Sequence, residues 1–160
     1  VTVFVSTGTT GFDNLAEAMD RLANELREPV VIQIGQGKYV PRNAAYFRLA
    51  PSLAPYIQQA SLVVAHGGLG TCTEVLELGR RLVAVSNPDR YDNHQEDLLV
   101  SLEAAGHLIY CRRLDELPSA IKRALGTVFR PYPRPETTIH IRIKEYLSQL
   151  ALRRFKESRS

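Results

Sequence analysis

Short apolar runs alternate with stretches of helical periodicity along the whole chain. Val1–Ser6, Val30–Gly35, Tyr46–Leu49, Leu62–Ala65, Leu82–Val85 and Leu108–Tyr110 are rich in β-branched residues and continuously apolar, as strands covered on both faces must be. Between the first two, Asp13–Leu26 sets Leu15, Ala18, Met19, Leu22 and Leu26 at helical spacing, with Asp13 or Asn14 placed to cap. Thr71–Leu78, Asn93–Ala105 and Leu114–Leu125 read as further helices. This alternation predicts an α/β fold, a Rossmann-like doubly wound parallel sheet with crossover helices.

The pattern changes near the end. Pro131, Pro133 and Pro135 steer their preceding residues away from helix, so 129–135 is expected to be a stiff, proline-rich connector closing a domain over 1–128. Beyond it Ile139, Ile141, Ile143, Tyr146, Leu147, Leu150 and Leu152 predict an extra C-terminal helix over 136–157. Its apolar residues cover more surface than one sheet contact needs, which suggests docking to a partner; completion of this domain's own core or a homodimer are the alternatives.

Composition narrows the class. With 160 residues, 44% hydrophobic and 23% charged, the chain fits one ordinary globular domain with a real core. No apolar run approaches the roughly 20 residues of a membrane span, and no charged-then-apolar leader precedes the first strand. Cys72 and Cys111 are not spaced as a metal pair or a disulfide framework, so a reducing, cytoplasmic setting is expected. The chain begins at Val1 rather than methionine, which fits a processed or trimmed start and leaves a longer parent chain open. The formal net charge of +3 reflects arginines and lysines concentrated after Phe129. No aromatic stacking platform accompanies them, so nucleic acid is not the expected partner.

Candidate chemistry lies where strands end. In doubly wound sheets ligands bind outside the carboxyl ends of the strands, where the winding direction changes. Thr7-Gly8-Thr9-Thr10-Gly11, Gly35-Gln36-Gly37-Lys38-Tyr39 and His66-Gly67-Gly68-Leu69-Gly70-Thr71 all follow strands. The last is the most informative: its glycines permit a sharp turn and close approach of a ligand, and the next helix aims unpaired N–H groups and its positive end at that point. A diphosphate satisfies both demands. Glu74, about one turn into the helix, lies within reach of ribose hydroxyls, and His66 is able to donate to a phosphate oxygen. The segment therefore reads as half of a nucleotide site.

These motifs, with Phe12-Asp13 and Leu15, Gln33-Ile34, Pro41, Asp92-Asn93-His94-Gln95 and Ala105-Gly106-His107-Leu108, make the chain resemble the C-terminal, donor-binding half of GT-B glycosyltransferases of family 28. The likeness extends to the free-standing subunits of that family, both bacterial exopolysaccharide glycosyltransferase subunits and the eukaryotic UDP-GlcNAc transferase subunit of asparagine-linked glycosylation. It spans Val1 to about Arg123.

The resemblance implies roles. His66 would approach the donor diphosphate, with Gly67, Gly68, Leu69, Gly70 and Thr71 as its backbone cradle. Glu74 would bind the ribose and Gln95 the sugar hydroxyls, with Asn93 and His94 beside it. Gly8 and Thr9 would close over the phosphates from the other side, and Leu49 and Ala50 would offer backbone groups to uracil. It implies a UDP-sugar donor, and no obligatory metal, since no Asp-x-Asp motif appears and fixed N–H dipoles can stabilise the departing diphosphate. It further implies inverting transfer to a lipid-linked acceptor, with the base on a membrane-associated partner subunit at the cytosolic face.

Other readings are weaker. A non-catalytic dinucleotide-binding module would want the full G-x-G-x-x-G spacing and an acidic residue after the second strand, where Ile32-Gln33-Ile34-Gly35 stands. A UDP-sugar epimerase would need acidic residues in the crevice. A decayed site is unlike a chain that keeps His66, Glu74 and Gln95. His107 and His140 read as structural, Cys72 as a small packing residue despite its place at a helix start, and Tyr39 and Tyr46 as core packing.

Overall fold

The computed structural model describes residues 1–89 and 93–133, Asn93 and His94 by backbone alone, together with positions 146 and 149. The helix expected over 136–157 otherwise lies outside the described residues, as do His140 and the Arg90–Asp92 segment; Tyr146 and Gln149 are both helical and exposed.

Six strands form one parallel sheet: β1 (Thr2–Ser6), β2 (Val30–Gln33), β3 (Ala45–Phe47), β4 (Ala60–His66), β5 (Leu82–Val85) and β6 (Ile109–Cys111). Their order is β3-β2-β1-β4-β5-β6. Chain direction across the sheet reverses between β1 and β4, which pair in register from Val3 opposite Leu62 to Ser6 opposite Ala65. That reversal opens a crevice between the ends of these two strands.

Both faces are covered, as the uninterrupted apolar strands require. On one, α1 (Asp13–Leu22) and α5 (Leu117–Gly126) bury Leu15, Met19, Leu117, Ile121 and Ala124 against Val3, Val5, Ile32 and Val83. On the other, α2 (Ala54–Gln59), α3 (Leu69–Glu77) and α4 (Asn93–Ala104) cover Phe4, Val63 and Ala84 with Ile57, Cys72, Val75, Leu76 and Leu99. Burying one such aliphatic side chain contributes about 1.5–3 kcal/mol.

The strands fall within one or two residues of their expected positions; three helical features depart. α1 stops at Leu22, four residues before Leu26, because the chain tightens into a turn in which Glu25 N donates to the Leu22 carbonyl at 2.9 Å. No side chain caps α1; Asp13 instead accepts from the backbone N–H of Lys38 and Tyr39 at 2.9 and 3.1 Å. α2 was not expected, since Pro51 and Pro55 punctuate its sequence. Its six residues are held by Ile57 in the core and by Tyr56, whose ring stacks on Phe47 at 4.5 Å and Phe4 at 5.5 Å.

The β2–β3 connection has no helix, unlike an ordinary parallel crossover. Two carboxylates of α1 organise it. Beside the Asp13 bonds, Asp20 is buried and accepts from the backbone N–H of Arg42, Asn43 and Ala44 at 2.8–2.9 Å and from the Tyr39 hydroxyl at 2.8 Å. Burial pushes the Asp20 carboxyl up, but these donors outweigh it and hold it below the ordinary carboxylate value. Donating to Asp20 raises the Tyr39 hydroxyl in turn.

The described part of the connector, 129–133, is strapped to the domain. Phe129 packs on the α1/α5 side and Tyr132 on the α3/α4 side. Between them Arg130 N donates to the Gly106 carbonyl at 2.9 Å, and its own carbonyl lies 3.0 Å from His107 Nδ1. His107 is structural here, as expected, with Tyr132 edge-on to its ring.

Candidate functional site

The crevice is built from the β1–α1 and β4–α3 turns. Gly8 follows β1 with φ +80°, a conformation that favours glycine. It also has to be glycine for space, since an added Cβ would lie 2.8 Å from His66 Nε2. A Cβ on Gly68 would likewise lie 2.2 Å from His66 Cε1. The imidazole at the end of β4 thus lies against two bare backbones, which brings together three of the expected site residues.

α3 begins at Leu69, two residues before its expected start, with Gly68 as N-cap in extended conformation and no side-chain cap. Its opening N–H groups belong to Leu69, Gly70 and Thr71, so Gly70 and Thr71 lie inside the first turn rather than in the loop before it. The first three N–H groups of a helix want an acceptor from outside. Leu69 and Gly70 are exposed, and Gly70 has no atom within 4 Å of where its Cβ would be. Helical spacing puts half-buried Glu74 on the same face as Gly70, with its Cβ tilted back toward the helix start. A ligand held at the first turn therefore has Glu74 one turn deeper along an open face.

α4 completes the far wall. Leu99 packs so closely on the turn that a Cβ on Gly67 would lie 2.8 Å from Leu99 Cδ1. Exposed Gln95 is one turn earlier on the same face of α4, which directs it past the β4–α3 turn. Asn93 and His94 open this helix, but their side chains lie outside the described residues.

Leu49 and Ala50 follow β3, three strands from β4, with Leu49 exposed and Ala50 half-buried. The chain from Arg48 must then cross toward α2, which packs over β1 and β4 on the α3 face. The Phe47–Tyr56 stack closes the base of this loop, holding Leu49 and Ala50 at the carboxyl edge. Exposed Thr9 faces the β2 turn, its carbonyl accepting Gln36 N at 2.9 Å.

Sequence reasoning passed over the buried polar residues behind these turns. Gln33, Ser6 and Asp20 are each at most 2% exposed; the available signal was a polar residue within an otherwise apolar run, as with Gln33 between Ile32 and Ile34. A cleft of 480 Å³ also opens beside the β1 turn, lined by Thr10, Asp13, Asn14, Gln36, Lys38 and Asn87 among others. The Cys72 thiol is buried beneath the site, and desolvation pushes it up to about 12. Among the described residues, no three His, Cys, Asp or Glu side chains are grouped to hold a metal ion.

Strand order and crevice define a doubly wound α/β class, with the start of α3, which no side chain caps, at the reversal point. More narrowly, the chain belongs to the glycosyltransferase family 28 C-terminal domain, whose family model matches residues 2–151. It is 37% identical over 122 residues to the human UDP-N-acetylglucosamine transferase subunit ALG13, covering 68% of this chain and 11% of that protein. It is 29% identical over 143 residues to the UDP-N-acetylglucosamine–N-acetylmuramyl-(pentapeptide) pyrophosphoryl-undecaprenol N-acetylglucosamine transferase of Caulobacter vibrioides, covering 78% of this chain and 40% of that enzyme. The chain thus spans a minor part of both relatives. Among solved structures, the NMR structure of ALG13 matches with TM-score 0.63 at 17% identity, over 89% of this chain and 94% of that one. Acinetobacter baumannii MurG matches with TM-score 0.61 at 22% identity, over 76% and 40%. These likenesses bear out the fold as the C-terminal half of a GT-B enzyme.

Proposed function

We propose that the chain is the donor-binding subunit of a heteromeric, inverting glycosyltransferase, taking a UDP-sugar and passing the sugar to a lipid-linked acceptor in polysaccharide or glycan synthesis. The observation that carries this reading is the uncapped start of α3 beside a histidine whose ring lies close against Gly8 and Gly68, within a family 28 C-terminal domain. The diphosphate lies against the N–H groups of Leu69–Thr71 with His66 beside it. Glu74 accepts from the ribose hydroxyls, Gln95 faces the sugar, and the Leu49–Ala50 backbone meets uracil.

The chemistry then follows from charge. As the bond from the anomeric carbon to the diphosphate breaks, negative charge grows on the leaving phosphate, where backbone dipoles are already oriented and cost no reorganisation. No obligatory metal is needed for that stabilisation. A general base must deprotonate the acceptor hydroxyl attacking from the opposite side, and we place it on a membrane-associated partner subunit at the cytosolic face. The names of the relatives, a transferase subunit and an enzyme acting on an undecaprenol-linked acceptor, support this division.

The test is a panel of UDP-sugars offered to the chain alone and co-expressed with a membrane-associated partner, with and without EDTA. Transfer that requires both subunits and survives chelation is expected. Full activity of the isolated chain overturns the two-subunit reading, and loss in EDTA overturns the metal-independent one.

A further inference from the structure

Gln33 ends β2 with its side chain buried beneath the crevice, and the amide is fully committed. Its Oε1 accepts from Ser6 Oγ at 2.8 Å, while Nε2 donates to the carbonyls of Gly8 at 3.1 Å and Arg48 at 3.2 Å. Its backbone carbonyl accepts from the Thr7 hydroxyl at 2.8 Å and the Thr7 N–H at 3.1 Å. A side-chain NH₂ carries two donors in one rigid plane, so the two carbonyls it holds cannot part without one losing its donor.

Those carbonyls belong to different halves of the crevice. Gly8 flanks His66 at the diphosphate end, and Arg48 immediately precedes Leu49 and Ala50 at the nucleoside end. Gly35 narrows the same gap: its N–H donates to the Arg48 carbonyl at 2.9 Å, and a Cβ on it would lie 2.2 Å from the Gly8 carbonyl oxygen.

We propose that Gln33 is a positioning residue that fixes the separation between the diphosphate turn at Gly8 and the nucleoside loop at Arg48–Ala50, so that both halves receive a nucleoside diphosphate as one preorganised unit. This rests on the donor-site reading above. Its signature is selective: preorganising two subsites helps a ligand that spans both and does little for a ligand that occupies one.

The experiment compares UDP, uridine and inorganic pyrophosphate binding to the full chain by titration calorimetry and competition NMR. Gln33→Met removes both donors at similar length. UDP affinity is expected to fall about 10-fold while uridine and pyrophosphate each change less than about 2-fold. Amide exchange at Gly35 and Gln36, read without ligand, should speed up in the same variant. Ser6→Ala keeps both donors but frees the amide, giving a smaller fall in the same direction, and it carries the test if Gln33→Met does not fold. Tyr39→Phe loosens the β2–β3 connection elsewhere and should leave the three affinities in their wild-type ratio. Unchanged UDP affinity, or an equal loss for all three ligands, overturns the coupling alone. A wild-type chain that binds none of the three overturns the donor-site reading and the coupling with it.

Discussion

Two turns at the same sheet edge use their backbone N–H groups in opposite ways. The β4–α3 turn leaves the opening N–H groups of its helix without a side-chain cap, beside glycines and an exposed face. In the β2–β3 connection, the N–H groups of Lys38, Tyr39, Arg42, Asn43 and Ala44 are taken by Asp13 and Asp20. Both stretches are glycine-bearing and follow strands. The difference is whether the fold provides its own carboxylate. Where it does, the loop gains rigidity; where it does not, no side chain of the fold takes the donors.

The largest effect should come from filling the open turn. Gly68 has φ −66°, so alanine suits its backbone and the whole penalty falls on the His66 ring 2.2 Å from the new Cβ. Gly68→Ala should weaken UDP binding by about 10- to 100-fold, the loss of a hydrogen bond to a charged group, with the far-ultraviolet dichroism unchanged. Equal binding would dissolve the contrast between the two turns.

Asp20→Asn should do the reverse, costing about 2–3 kcal/mol of stability in urea denaturation while UDP affinity in the folded protein holds. The pH dependence gives its sign. The Asp20 carboxyl lies below its ordinary value of 3.8 when folded, so its contribution is full above that value and disappears as pH falls through the folded pKa. The stability gap between wild type and Asp20→Asn should therefore be constant near neutrality and close below about pH 4.

Smaller is Glu74→Ala, expected to lower UDP affinity about 10-fold through lost ribose hydrogen bonds while pyrophosphate affinity stays within a factor of about 2. The smallest effect sharpens the comparison from below. Cys72 sits in the first turns of α3, where the helix end favours a thiolate, yet burial wins and pushes the thiol up to about 12. Iodoacetamide at pH 8 should label it only after denaturation, as mass spectrometry would report.

The six strands and the glycine turns beside the crevice were legible because parallel strands between two helical layers must be apolar throughout, and a turn on which a ring packs this closely must be bare. What escaped was carried by tertiary hydrogen bonds. Asp13 looks like a cap until the Lys38 and Tyr39 N–H groups claim it. Asp20 looks like a surface position on an amphipathic helix, and nothing local announces that three amides of a distant loop converge on it. α2 is too short and too interrupted by proline for periodicity to register, and it depends on the stacked rings of Phe4, Phe47 and Tyr56. Gln33 interrupts an apolar run by one residue, and its two acceptors come from segments 25 and 15 residues away.

The strap formed by Phe129–Tyr132 has a mechanical consequence. α5 ends on the face opposite Glu74, but the Arg130 backbone, pinned at Gly106 and His107, carries the polypeptide around the sheet's amino edge, and Tyr132 delivers it to the α3/α4 side. Any pull on the chain beyond Pro133 is therefore borne first by the α4–β6 corner. A tether attached there would load the layer that holds α3 and spare α1 with its carboxylate-bound loop.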